Sequence, residues 1–307
     1  MKKPRILLLL IGSACLLHGL PGVPFPEVIR KDVLFTILDS DGLPVEEARV
    51  AAADGTNGLT GADGRVVLNI PANRTFFLEA RKDGFYNTVG NLWTGGLYRG
   101  PDGNLVERET PDSFTVELKE IRDHVYLRFK RFRGHAPATD KPLGWDFEAG
   151  DWVIPYGNGT SADVFFHFHG IILEEKGFEG HMTLSFPEED DGIQSFKAAR
   201  PHSMEFGSDL APPHKAPLAG YQASLSHTKI HRPGEPFQSY REDQRNYLFR
   251  VRTKRDALGQ LVQACYGWFS GEIEFDPRGS PGPQLAFEYF FNPDPDPRAR
   301  SLENRKR

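Results

Sequence analysis

Between Val33 and Phe85 the sequence alternates short apolar runs with turn signals, and this alternation limits the fold more than any other feature. The turns are Asp-Gly pairs, at Asp41-Gly42, Asp54-Gly55, Asp63-Gly64 and Asp83-Gly84. Such pairs favour chain reversal because glycine accepts a positive φ at little cost. Strands and turns that recur roughly every 8–12 residues are typical of a small antiparallel β-sandwich. The stretch therefore predicts a fold and no reaction.

The residues at these turns and strands also carry a resemblance. They read Asp39…Gly42-Leu43-Pro44-Val45…Ala48-Arg49-Val50, Thr60…Asp63-Gly64-Arg65 and Gly84-Phe85-Tyr86. Together they resemble the carboxypeptidase regulatory-like domain, over residues 32–121. Glu47 and Gly61 depart from that pattern, standing where a Gly and an Asp are common. The resemblance implies a transthyretin-like, immunoglobulin-related sandwich that serves as a non-catalytic structural or interaction module.

The first 20 residues read as a signal peptide. Lys2, Lys3 and Arg5 are basic, and the apolar run that follows, 6–17, is too short to span a bilayer. No later run is long and apolar enough to span, so we expect no transmembrane segment. The mature protein is predicted to be exported, to the periplasm, the cell surface or the extracellular space.

The two cysteines have different expected roles. Gly12-Ser13-Ala14-Cys15 loosely resembles a bacterial lipobox, which would place a lipid anchor at Cys15, although Gly12 is unusual there and two leucines follow the cysteine. We favour free secretion over the anchor. Removal of the signal leaves Cys265 without a disulfide partner. Cys265 lies in an apolar run, which indicates a buried thiol rather than a nucleophile.

Composition restricts the partners. The formal net charge is −5, which argues against a nucleic-acid-binding protein because such a protein needs a basic face. Hydrophobic residues make up 39% of the chain, which allows ordinary hydrophobic cores. The chain contains 23 Phe, which favours β-structure.

Residues 122–291 predict a second, larger β-sandwich or jelly roll. Apolar and polar residues alternate in several short segments, namely 124–132, 163–173, 181–186, 247–254, 261–275 and 284–291. Residues 187–220 are rich in Pro and predict an irregular connection. Pro293, Pro295 and Pro297 then remove backbone donors, so residues 292–307 are predicted to form a disordered tail. Beyond this pattern, residues 122–291 resemble only uncharacterised exported bacterial proteins.

The sharpest chemical signal is a histidine pair. His167 and His169 lie two residues apart on a predicted strand, so both imidazoles face one side. With Glu174, and with His227 or His231 as a late ligand, they could form a metal site that resembles the first motif of the cupin family. The alternative is that the Phe residues between them face the core and leave both histidines in solvent. We favour the solvated alternative.

Aromatic residues near position 150 offer a second candidate. Trp145, Trp152 and Tyr156 could form a stacking platform for a carbohydrate ring, or they could plug one end of the sandwich. The plug is favoured because tryptophans are usually buried.

We therefore expect an exported, all-β, two-domain protein without a cofactor. Its function is predicted to be non-enzymatic: a structural, interaction or carbohydrate-associated module that binds carbohydrate or another surface protein. The alternative is a metal-dependent, cupin-like enzyme that uses His167, His169 and Glu174.

Overall fold

The computed structural model describes residues 28–72, 75–93, 97–99, 104–107, 109–172, 177–199, 205–239 and 245–304. Every regular element in these ranges is a β-strand, so the predicted all-β class is confirmed. In the same ranges there is no helix with the length and apolar character needed to cross a membrane. The predicted signal peptide, Cys15 and Glu174 lie outside the described residues.

Two stacked sheets form the first sandwich. Its own strands are β1 (Arg30–Leu38), β2 (Arg49–Ala52), β3 (Asn57–Leu59), β4 (Arg65–Pro71), β5 (Thr75–Arg81), β6 (Thr88–Trp93), β7 (Leu97–Arg99), β8 (Leu105–Glu107) and β9 (Ser113–Glu117). One sheet has the order β4-β1-β9, and the other contains β6-β5-β2-β3. β7 and β8 pair with each other.

Alternation along the strands builds this first core. Val33, Phe35 and Ile37 on β1 are fully buried, and they pack with Val50 and Leu78 of the other sheet. At the turns, the carboxylate of Asp39 accepts the amides of Asp41 and Leu43, and those of Asp54 and Asp63 accept the amides two residues on. Gly42, Gly55 and Gly64 adopt positive φ in these turns, as their Asp-Gly pairs predict.

The second sandwich pairs two larger sheets. The strands from residue 128 onward are β10 (Arg128–His135), β11 (Leu143–Asp146), β12 (Asp151–Trp152), β13 (Val164–Ile172), β14 (Phe178–Ser185), β15 (Gly192–Lys197), β16 (Gly207–Ser208), β17 (Ser224–His231), β18 (Gln238–Ser239), β19 (Arg245–Arg255), β20 (Leu261–Phe269), β21 (Glu274–Asp276) and β22 (Gln284–Asn292). One sheet has the order β10-β22-β20-β19-β15, with β21 beside β22, and the other has the order β12-β11-β13-β14-β17-β18. β16 joins neither of them.

Aromatic side chains from both sheets fill the second core. Phe166 and Phe168 of β13 are stacked with their ring centroids 6.2 Å apart, and Phe166 also stacks on Phe287 of the opposite sheet. Phe147 stacks on Phe249 with a centroid separation of 4.2 Å. Each such ring contributes roughly 1.5–3 kcal/mol when it leaves water, so the inner faces cannot be exchanged with the outer ones.

A segment that follows the predicted domain boundary at residues 121 and 122 returns to the first sandwich. β16 pairs with β6 and extends the second sheet of the first sandwich, while Phe206 packs edge-on against Phe114. The connection over 187–220 also contains β15, which pairs with β19 in the main sheet. The predicted irregular connection therefore supplies a strand to each sandwich.

The predicted disordered tail is wrong for residues 292–304. Leu302 and Glu303 are buried, and the Leu302 amide donates to the carbonyl of His214 over 2.9 Å. The prolines remove amide donors but keep their carbonyls as acceptors. Pro295 accepts the amide of Ala264, and Pro297 accepts the hydroxyl of Tyr266. The last strand ends at residue 292, but the chain after it remains packed against the rest of the protein.

Two turn glycines of the first sandwich provide a matched test. Both Gly64 and Gly84 have positive φ, but a Cβ on Gly64 would lie 2.6 Å from the carbonyl oxygen of Ile37, whereas Gly84 faces open space. We expect Gly84→Val to lower the free energy of unfolding by about 1–3 kcal/mol through φ strain alone. Gly64→Val should cost at least about 1 kcal/mol more because the backbone must shift. Urea unfolding followed by circular dichroism measures both, and equal losses would contradict the assigned geometry.

Candidate functional site

His167 and His169 lie on the solvent face of β13. Val164, Phe166 and Phe168 alternate with them and are buried in the core. The side chain of His169 is 64% exposed, and its Nδ1 lies 3.2 Å from Oδ1 of Asp140. Both histidines therefore lie on the solvent side of the strand, as the favoured alternative predicts.

The other histidines proposed for a metal site lie on the opposite side of the same sheet. Ser226 and Thr228 of β17 stand in register with Thr183 and His181 of β14, on the solvent face. The intervening His227 faces inward, since its ring contacts the buried Tyr247. The structure thus does not bring His227 or His231 towards the His167 and His169 pair.

The nearest histidine neighbour does not complete a metal centre either. The rings of His169 and His181 are 6.4 Å apart, but Nδ1 of His181 lies 2.9 Å from the Thr228 hydroxyl and Nε2 lies 3.2 Å from Glu179. Both nitrogens of His181 are therefore already engaged. Among the described residues, no three His, Cys, Asp or Glu side chains are grouped to hold a metal ion.

The aromatic residues near position 150 separate into two environments. Trp145 and Trp152 are buried and meet edge to face, with centroids 5.0 Å apart, and both contact Phe132. Tyr156 is 39% exposed and lies under the Lys141 ammonium. The two tryptophans plug the sandwich, as the favoured interpretation has it, so the three residues form no common platform.

Cys265 is buried in the second core. Its thiol lies 3.8 Å from the carbonyl oxygen of Pro293, and burial raises its pKa to about 12. A thiol that stays protonated near neutral pH is a poor nucleophile. This agrees with the inert role that the sequence predicts.

The inward face of β17 is polar, unlike those of β13 and β14 in the same sheet. Leu225 packs against the core, and His227, Lys229 and His231 follow on the same side of the strand. His227 lies 3.3 Å from the hydroxyl of Tyr247, and burial lowers its pKa to about 4, so it is neutral. The Lys229 ammonium donates to the carbonyl of Phe275 over 2.6 Å. These side chains mark the end of the dry core and the start of an opening between the sheets.

Three rings surround a cavity of about 280 Å³ at this opening. We call it the ring pocket. The centroid of His231 lies 5.7 Å from that of Phe178 and 6.2 Å from that of Phe237, and the two Phe rings are 6.1 Å apart. Its wall is completed by Lys229, Phe275, Asp276, Pro277 and Arg278.

Polar groups stand beside these rings. Nδ1 of His231 is buried and has no hydrogen-bond partner among the described residues. Arg278 lies over the Phe178 ring at 5.0 Å and forms two hydrogen bonds to the Asp276 carboxylate, of 2.9 and 2.6 Å. Those bonds hold the pKa of Asp276 below its ordinary value, so the carboxylate stays ionised. The ring pocket therefore offers apolar surface, an anion and a cation within one small volume, next to the buried ring nitrogen of His231.

A larger cavity of about 660 Å³ lies where the two sandwiches meet, but several of its polar groups already have hydrogen-bond partners within the protein. Burial lowers the pKa of Lys119, whose ammonium donates to the carbonyls of Ala211 and Pro212. The hydroxyl of Thr88 donates to the carbonyl of Glu117. The ring of His214 contacts the backbone carbonyl oxygen of Glu120 through Nε2. These contacts hold the segment after β16 against the first sandwich, so this cavity is the weaker candidate.

Sequence reasoning missed the ring pocket because its residues come from separate segments. One local signal exists: His227, Lys229 and His231 alternate before Pro233-Gly234, which predicts a strand and a turn. Gly234 indeed has a φ of +83°, and the turn places Phe237 beside His231. The strand could have been predicted from this signal, but the contact of His231 with Phe178 could not.

No protein-family model matches the sequence, and no curated protein matches it.

The two faces of β13 differ enough to test directly. Changing both His167 and His169 to Ala should alter the free energy of unfolding by less than about 0.5 kcal/mol, as exposed substitutions do. Phe166→Ala should cost about 3–5 kcal/mol because it leaves a cavity between the sheets. Urea unfolding gives both values. Elemental analysis of the purified wild type is the control, and near-stoichiometric metal that the double variant loses would revive the metal-site hypothesis.

Proposed function

We propose that this protein is an exported, non-enzymatic carbohydrate-binding module whose ligand site is the ring pocket. The observation that carries the proposal is the exposure of Phe237. Phe237 is 53% exposed although its ring contacts two further rings. One of these is the ring of His231, whose buried Nδ1 has no hydrogen-bond partner in the part of the chain that the structure describes. An exposed aromatic ring with an adjacent unsatisfied polar group favours a ligand that is both apolar and polar.

A sugar ring has this dual character. Its C–H face packs on aromatic rings, while its hydroxyl groups both donate and accept hydrogen bonds. The imidazole of His231 lines the pocket and supports the second requirement, because an imidazole ring nitrogen serves a hydroxyl in either role, according to the tautomer. The volume of about 280 Å³ is near the lower end of the range for small-molecule sites, which suits one ring.

The charged pair gives the pocket directional contacts. Arg278 and Asp276 hold each other in a fixed, two-bond geometry, yet the side chain of Arg278 is more than half exposed. A carboxylate and a guanidinium fixed side by side present acceptors and donors to neighbouring hydroxyls. Because Asp276 is kept ionised, it carries no proton to donate near neutral pH, which favours binding over acid catalysis.

The first sandwich fits a supporting role in this proposal. Its resemblance to carboxypeptidase regulatory-like domains implies an interaction module, and the β16 extension ties it to the ligand-binding sandwich. We assign export from the signal-like first 20 residues, whose basic start and apolar run stand in the sequence.

Phe237 is the residue to change. A panel of immobilised oligosaccharides identifies ligands, and calorimetry then measures the dissociation constant of the strongest one. Phe237→Ala should weaken it about tenfold or more through loss of ring contact. Phe129→Ala is the matched control, because Phe129 is 51% exposed on a different strand, β10, and should change the constant less than about twofold.

If the two substitutions changed the dissociation constant equally, the ring pocket would not be the ligand site. A wild-type protein that binds no saccharide in the panel would reject the proposed function itself.

A further inference from the structure

A second cavity adjoins the ring pocket. It has a volume of about 550 Å³ and shares three wall residues with the ring pocket, namely Lys229, Phe275 and Asp276. On its far side it reaches β10 and β22, where Arg133, Gln284 and Ala286 line it. The shared wall residues place the two cavities side by side, and we call the two together the groove, with the ring pocket and the second cavity as its two subsites.

The second subsite has four charged wall residues, namely Arg133, Lys229, Glu274 and Asp276, and Arg133 is its cation on β10. The other two arginines of β10 form ion pairs: Arg131 pairs with Glu288 at 2.6 Å, and Arg128 pairs with Glu148 at 2.9 Å. The strand register explains the difference, since Arg131 stands opposite Glu288, whereas Arg133 stands opposite Ala286. Across the described residues, Arg133 enters no ion pair.

The other cations of the groove already have local contacts. Lys229 donates to the Phe275 carbonyl and lies 5.3 Å from the centre of that ring. Arg278 is held by Asp276. A negative group on a ligand therefore meets a readily available guanidinium at Arg133, at the end of the groove opposite the three rings.

We infer that the groove binds an acidic oligosaccharide, with one sugar ring in the ring pocket and a carboxylate or sulfate of a neighbouring unit at Arg133. The inference rests on the proposed function and adds the ligand class and its orientation. A guanidinium matches a carboxylate or sulfate because it donates two parallel hydrogen bonds to adjacent oxygens.

The test compares oligosaccharides with and without charge. Neutral oligosaccharides and their uronic-acid counterparts of equal length are titrated into the wild type, Arg133→Gln and Arg131→Gln. The wild type should prefer the acidic members, and Arg133→Gln should weaken them about tenfold while the neutral members keep their affinity. Arg131→Gln is the control on the same strand. It should leave both classes unchanged because Glu288 already occupies its guanidinium.

Each outcome decides one claim. The inference would be overturned if the wild type bound neutral and acidic oligosaccharides with equal affinity, or if Arg133→Gln did not change the affinity for the acidic ones. Either result would leave the ring pocket as a saccharide site. Absence of binding by every oligosaccharide would overturn the proposed function together with it. Rising salt should weaken the acidic members in the wild type and not in Arg133→Gln, which separates an ionic contact from a change of shape.

Discussion

Burial of the apolar inner faces of β13 and β14 is the constraint on which the second sandwich depends. Side chains alternate along a strand, so a slip of one residue would place Phe166 and Phe168 in water and His167 and His169 in the core. The loss of two buried rings and the burial of two imidazoles both oppose that slip. The register is thereby fixed, and with it the face on which each polar group of the sheet lies.

The same register produces the ring pocket. β17 pairs with β14 and continues the alternation, which turns Lys229 and His231 inward where the sheets open. Gly180 allows the opposite segment to approach, because a Cβ there would lie 2.6 Å from Cβ of Pro277. That close approach brings Arg278 over the ring of Phe178. A groove with rings at one end and Arg133 at the other therefore follows from strand pairing rather than from a separate loop.

Local sequence signals were sufficient for some of this structure and insufficient for the rest. Asp-Gly pairs predicted the turns at Gly42 and Gly64 because turn conformation depends on the residues that form it. Alternation placed His167 in solvent for the same reason. The packing of Leu302, the pairing of β16 with β6 and the meeting of Phe178 with His231 join residues distant in sequence. Such contacts leave no local pattern, so the proline-rich end by itself predicts disorder.

The most direct test of the account observes the histidine rings during ligand binding. Proton–nitrogen correlation spectra of the protein labelled at its histidines, with signals assigned through His231→Gln, His167→Ala and His169→Ala, report each ring separately. Addition of the strongest saccharide ligand should shift the ring nitrogens of His231 and leave those of His167 and His169 in place. Shifts at His167 and His169 with His231 unchanged would contradict the account, because the ligand would then lie on the solvent face of the sheet.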